Sequence, residues 1–227
     1  SNLKNKNTMS FQEYRPSVFN VLPPIVKNLL IINCILYLAT FVLSAKFRID
    51  LNDILGLHYF GAEAFHPYQI ITYMFMHGNF THLFFNMFAL WMFGNMLEYT
   101  LGAKKFLIFY FVTGIGAAIL HYIIYHFEIQ PMLSILNDYL INPSHEKFLA
   151  LWSESGKMQM SQEMAMELQP MFSELQSQLN TGDSERALQI SVELIAEYKK
   201  LFLNSSVVVG ASGSIFGLLL AFGMLLF

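Results

Sequence analysis

Two short stretches of this chain hold side chains that could do chemistry. The first is Gly210-Ala211-Ser212-Gly213, near the start of an apolar run over residues 207–227. A serine among residues with little or no side chain leaves room for a substrate carbonyl beside its hydroxyl, which a nucleophile needs. The same residues suit close helix packing, because small side chains let backbones approach, and Gly213 with Gly217 makes a GxxxG pair. The second stretch is His82-xxx-Asn86, two polar residues four apart and so on one face of a helix. Polar side chains are costly inside a membrane and imply either a functional site or a hydrogen-bonded joint between helices. Acyl transfer generates an oxyanion that needs preorganised donors in a water-poor site. An imidazole N–H, an Asn amide and the serine's own backbone N–H could supply them. His77 with His82 and a carboxylate would make a metal site. The HExxH spacing of zinc peptidases is absent and no acid lies nearby in sequence, so no metal is expected.

The elements that must position these residues are apolar. Of 227 residues, 55% are hydrophobic and 13% charged, about half the charge of an ordinary soluble domain, which indicates a polytopic membrane protein. A cleavable signal peptide is not expected, because the first apolar run is too long and more follow. The single cysteine, Cys34, excludes a disulfide framework and is expected to be a small buried apolar group. Lys4, Lys6 and Arg15 make a 24-residue N-terminal segment basic, and Lys27 follows in the first turn of the first span. A first span is expected over residues 25–45, a second over 70–98 and a third over 106–126, each about long enough for a ~30 Å hydrocarbon core. Asn33 and Thr40 can hydrogen-bond within the first span. The aromatic-rich loop at residues 46–68 suits the water–lipid interface and a short amphipathic helix. Gly102 breaks the chain between the second and third spans, beside Lys104-Lys105.

Residues 128–206 carry eleven acidic and five basic residues, a net of −6, with no run long enough to span. Leu188, Val192, Ile195, Tyr198 and Phe202 recur at helical spacing, so residues 184–203 read as an amphipathic helix capped by Thr181-Gly182-Asp183. A second helix is expected within residues 146–179, interrupted at Pro170. The positive-inside rule puts the basic tail and Lys104-Lys105 in the cytoplasm and this insertion outside. His82 and Ser212 then lie at similar depth near the outer face.

In their order along the chain, His77, His82-xxx-Asn86, Glu98-xxx-Gly102-xxx-Phe106 and Gly210-Ala211-Ser212-Gly213 resemble the rhomboid family of intramembrane serine proteases. The resemblance covers residues 25–127 and 207–227. It implies an all-α, rhomboid-like polytopic bundle, with four spans of an expected six present and a helical extramembrane insertion at residues 128–206. It also implies cleavage of transmembrane protein substrates near the outer surface of a bacterial inner membrane. Ser212 would be the nucleophile, with His82, Asn86 and the Ser212 N–H as the oxyanion hole. His77, Gly210 and Gly213 would support the site. Partners would be transmembrane substrates and lipid, with no cofactor and no nucleic acid.

The chain departs from the family pattern in two ways. Tyr68-Gln69 stands where the family often has Trp-Arg, which should alter the anchoring of the first loop with little bearing on the chemistry. None of the seven histidines follows Ser212, whereas the family's general base lies on a sixth span. The chain therefore reads as the N-terminal portion of a protease, inactive by itself. The alternative is a rhomboid-like protein that binds transmembrane clients without cutting them.

Overall fold

A computed structural model describes residues 22–153 and 160–226. The basic positions Lys4, Lys6 and Arg15 lie outside the described residues. The chain is mostly helical. Helix α1 (Pro24–Phe47) is followed by a short α2 (Leu51–Leu55), strand β1 (Leu57–His58), α3 (Gln69–Thr72) and a 3-10 turn (Tyr73–Phe75). Then come α4 (Phe80–Leu101), α5 (Ala103–Ile141), α6 (His145–Ser153), α7 (Gln162–Thr181), α8 (Ser184–Asn204), strand β2 (Val207–Val208) and α9 (Ser212–Leu226).

Helices α1 and α5 are long and apolar enough to cross a membrane, yet only 22% and 17% of their most apolar stretches are buried. Ile35, Leu38 and Phe41 on α1 and Val112, Ile119 and Ile123 on α5 face outward. A soluble core helix would bury these side chains, so the exposure fits an all-α membrane protein. Helix α4 packs on both, with Phe84, Phe85 and Trp91 outward, but it dilutes its apolar run with His82, Asn86, Asn95 and Glu98. Helix α9 has 15 residues, roughly 22 Å, shorter than the expected span because residues 207–211 are not helical. Cys34 is exposed on α1 rather than buried. Against lipid, an outward-facing thiol is no worse placed than an inward one.

Two devices fix which ends lie together. The buried Glu98 carboxylate accepts from the Ile25 N–H at 2.9 Å and the Val26 N–H at 2.8 Å. It thus satisfies donors that the first turn of α1 cannot satisfy itself and meets the positive end of that helix. Gly102, at φ 79°, joins α4 to α5 with no further linker, a backbone state that favours glycine. The N-terminus of α1, the C-terminus of α4 and the N-terminus of α5 therefore share one end. At the other end β1 pairs antiparallel with β2, Leu57 opposite Val208 and His58 opposite Val207.

Helix α5 does not stop at residue 126. It continues to Ile141, a rod of roughly 58 Å, about twice a hydrocarbon core. Its last turns place Leu136 and Tyr139 in a second core with Leu168 and Leu175 of α7 and Ile190, Leu194 and Tyr198 of α8. The insertion is thus built onto α5, whose residues from Met132 on pack against the second core. Helix α7 runs through Pro170 without interruption. A proline there forfeits one N–H bond, to the carbonyl of Met166, and Met166 is exposed, so water can take its place. Helix α8 keeps the expected cap, since Asp183 Oδ1 accepts from the Arg186 N–H at 3.0 Å after Gly182 at φ 82°. Asn33 and Thr40 bond back to the Leu29 and Leu36 carbonyls within α1.

Candidate active site

The second apolar segment does not form one helix. Residues 69–75 make two short turns, the chain extends at Met76, and α4 starts afresh at Phe80. Asn79 causes the restart, because its Oδ1 accepts from the His82 N–H at 2.8 Å. That cap sets the first turn of α4, so His82 and Asn86 follow one turn apart on the same face. Asn86 is 7% exposed, and its Nδ2 has no acceptor among the described residues. His82 is half-buried.

The serine stretch arrives from the other side. Val207 and Val208 form β2, and Gly210 turns at φ 122° while donating its N–H to the Tyr73 carbonyl at 2.9 Å. A Cβ on Gly210 would fall 2.6 Å from His82 Nε2, 2.7 Å from His82 Cε1 and 3.4 Å from Asn86 Nδ2. The Gly210 backbone therefore lies directly on the two polar side chains of α4, where only glycine fits. Ala211 is fully buried, and Ser212 is the first residue of α9 and half-buried. The backbone N–H groups of that first turn have no intrahelical acceptor and stand at the positive end of the helix dipole.

The two serines of the segment part company. Ser214 is 1% exposed and its hydroxyl donates to the Tyr110 carbonyl of α5 at 2.8 Å. The Ser212 hydroxyl makes no hydrogen bond to the described residues. Gly213 and Gly217 do serve packing. A Cβ on either would come within 2.5 Å of Ala117 or Thr113, so α9 lies antiparallel against α5 with backbones nearly touching. The packing reading of these two glycines therefore holds. Gly114 completes the contact, since a Cβ there would meet Met74 and the Ser214 hydroxyl within 2.6 Å.

His77 sits behind this arrangement, 1% exposed, with its ring centroid 5.1 Å from that of His82 and edge-on to it. The Phe75 backbone lies near enough to act on its imidazole, yet neither ring nitrogen closes a well-formed hydrogen bond among the described residues. Beside it a cavity of about 300 Å³ is lined by Thr40, Ser44, Asp50 and Asn52. Among the described residues no three His, Cys, Asp or Glu side chains group as metal ligands.

Gly210, His82, Asn86 and His77 thus meet at one end of the bundle, with Ser212 and Gly213 two and three residues further along the chain. Two residues that sequence reasoning passed over hold them there. Tyr73 accepts the Gly210 N–H and sends its own hydroxyl to the Gly114 carbonyl at 2.7 Å. Asn79 was legible as a cap, three residues before His82 and just ahead of the apolar helix.

Neither the curated proteins nor the solved structures contain a match to this chain. The family model described as Rhomboid domain matches residues 64–131, which takes in α3, α4 and most of α5 and stops short of Ser212. The residues matched include His77, His82 and Asn86, and the match is consistent with a member of the rhomboid family.

Proposed function

We propose that the chain is the four-span N-terminal portion of an intramembrane serine endopeptidase, cutting transmembrane substrates near the outer surface of a bacterial inner membrane. The observation that carries this reading is the seat of Gly210 on His82 and Asn86, two residues before a serine at a helix N-terminus. In the reaction, Ser212 Oγ attacks the scissile carbonyl carbon, and the oxygen that becomes negative is met by donors from His82, Asn86 and the Ser212 N–H. The hydroxyl proton passes to a general base, which the family resemblance places on a later span, and from there to the leaving amine. Water then attacks the acyl-serine ester, releasing the new carboxyl end and restoring Ser212.

Four spans are expected, with α4 and α9 as the two that cannot cross unaided. The shortness of α9 and the polar face of α4 suit helices packed inside a bundle. The 227 residues alone should react poorly with a fluorophosphonate, because a serine without a base is a poor nucleophile.

The test is Ser212→Ala in the full-length protein. It removes one oxygen at nearly constant volume, so the protein should melt as wild type while cleavage of a transmembrane substrate falls to background. Cleavage at the wild-type rate would exclude Ser212 as the nucleophile. A wild-type protein that retains transmembrane clients but never cuts them would favour the client-binding alternative.

A further inference from the structure

Gln69 is fully buried at the start of α3, and its amide uses its whole hydrogen-bonding capacity on backbone. Oε1 accepts from the His58 N–H at 3.3 Å and the His66 N–H at 3.1 Å. Nε2 donates to the Ile54 carbonyl at 3.2 Å and the Ala64 carbonyl at 2.9 Å. One side chain thus gathers residues 54–66, a loop whose backbone has little regular structure to satisfy it. Thr72 and Tyr122 add bonds to the Leu55 and His58 carbonyls.

What Gln69 gathers is the partner of the strand leading to Ser212. His58 lies in β1, opposite Val207. Gly56 packs so closely under β2 that a Cβ there would come within 2.5 Å of Val207 and 3.1 Å of Val209. The Ala64 N–H is bonded at 3.1 Å to Asn204 Oδ1, at the end of α8 just before β2. Among the described residues Gln69 makes no hydrogen bond to β2 or α9, so its influence on them runs through this ribbon.

We infer that Gln69 is a positioning residue for Ser212: by holding β1 it sets the β2 strand, and with it the seat of Gly210 on His82 and Asn86. The inference rests on the reading of Ser212 as nucleophile, and it reverses the expectation that Tyr68-Gln69 bears little on the chemistry. A purely structural role would lower stability without changing the serine strand of the folded molecules.

The experiment uses the full-length protein with Gln69→Ala, Gln69→Glu and, as a control for lost stability, Leu136→Ala in the insertion core. Amide hydrogen exchange, turnover and melting temperature are measured on the same samples. Gln69→Ala should speed exchange at Val207–Gly210 by roughly tenfold and lower kcat by about 10–100-fold with KM little changed, the signature of misplaced reacting groups. Gln69→Glu, held protonated by burial, keeps both acceptor contacts and one of the two donor contacts, so it should fall between and remain folded if the alanine variant does not. Leu136→Ala should melt earlier with exchange at Val207–Gly210 and kcat unchanged. Wild-type exchange at Val207–Gly210 in Gln69→Ala and Gln69→Glu overturns the inference. Failure of the Ser212 reading shows separately, in a wild-type protein that neither cleaves nor labels, and exchange then still decides whether Gln69 holds the strand.

Discussion

Replacing Gly210 by alanine adds a single methyl at the point where the two halves of the candidate site touch. Two costs follow from the geometry. At φ 122° an L side chain is strained by an amount on the order of 1–3 kcal/mol. The added Cβ would also lie 2.6 Å from His82 Nε2, against an ordinary contact beginning at 3.4 Å, so the imidazole or the strand must retreat by about 0.8 Å. A misplacement near 1 Å can cost ~10²-fold in turnover, and the strain should lower the melting temperature by roughly 2–12 °C. The assay pairs thermal melting with cleavage of a fluorogenic transmembrane substrate by the detergent-purified full-length protein. Gly116→Ala is the comparison, since nothing lies within 4 Å of a Cβ there. It should melt within about 2 °C of wild type and cleave normally. If Gly210→Ala keeps turnover within twofold of wild type, the close seat on His82 and Asn86 does not matter to catalysis and the oxyanion assignment fails.

Ser214→Ala removes a buried hydrogen bond to the Tyr110 carbonyl and should destabilise by about 1 kcal/mol while cleavage persists, the reverse of Ser212→Ala. A Ser214→Ala protein that is stable but inactive would exchange the roles of the two serines. Glu98→Ala strips one buried and one part-buried N–H group of their carboxylate acceptor and should cost roughly 2–4 kcal/mol in a denaturation series, with specific activity per folded molecule retained. Labelling single cysteines with a membrane-impermeant maleimide should modify Met160→Cys from outside intact cells and Lys104→Cys only after permeabilisation. The opposite pattern would put the serine end of the bundle in the cytoplasm.

The parts of the fold that local chemistry decides were legible from residue order. Asp183 after Gly182 announced a helix start, Gly102 a break, and the His82–Asn86 spacing a shared face. The start of the serine helix was not legible, because Val207, Val208 and Val209 are as apolar as a membrane span and as β-branched as a strand. What decides for a strand is β1, some 150 residues earlier, and no local pattern reports a pairing at that distance. The end of α5 was missed for a different reason. Hydropathy falls near residue 127 where lipid would give way to water, but helical backbone bonds need no lipid, and Leu136 and Tyr139 find apolar partners in α7 and α8. Gln69 was invisible as an organiser because its four partners are backbone groups, which any sequence would provide.

The length of α5 bears on how this protein could be taken apart. A modular graft would be trimmed at the membrane surface, near residue 128, and the ends rejoined. Here that cut passes through an unbroken helix and takes Leu136 and Tyr139 away with Leu168 and Leu194, so the second core leaves whole while α5 loses its last turns. The chain offers no joint at that height. Excision after Ile141, where the helix ends, keeps α5 whole but strips Leu136 and Tyr139 of their partners in α7 and α8, and a replacement tether would have to run back along the helix to Val207. A deletion designed on hydropathy would therefore report on a shortened α5 as well as the lost insertion, while one designed on the helix would report on an apolar face left uncovered at Leu136 and Tyr139.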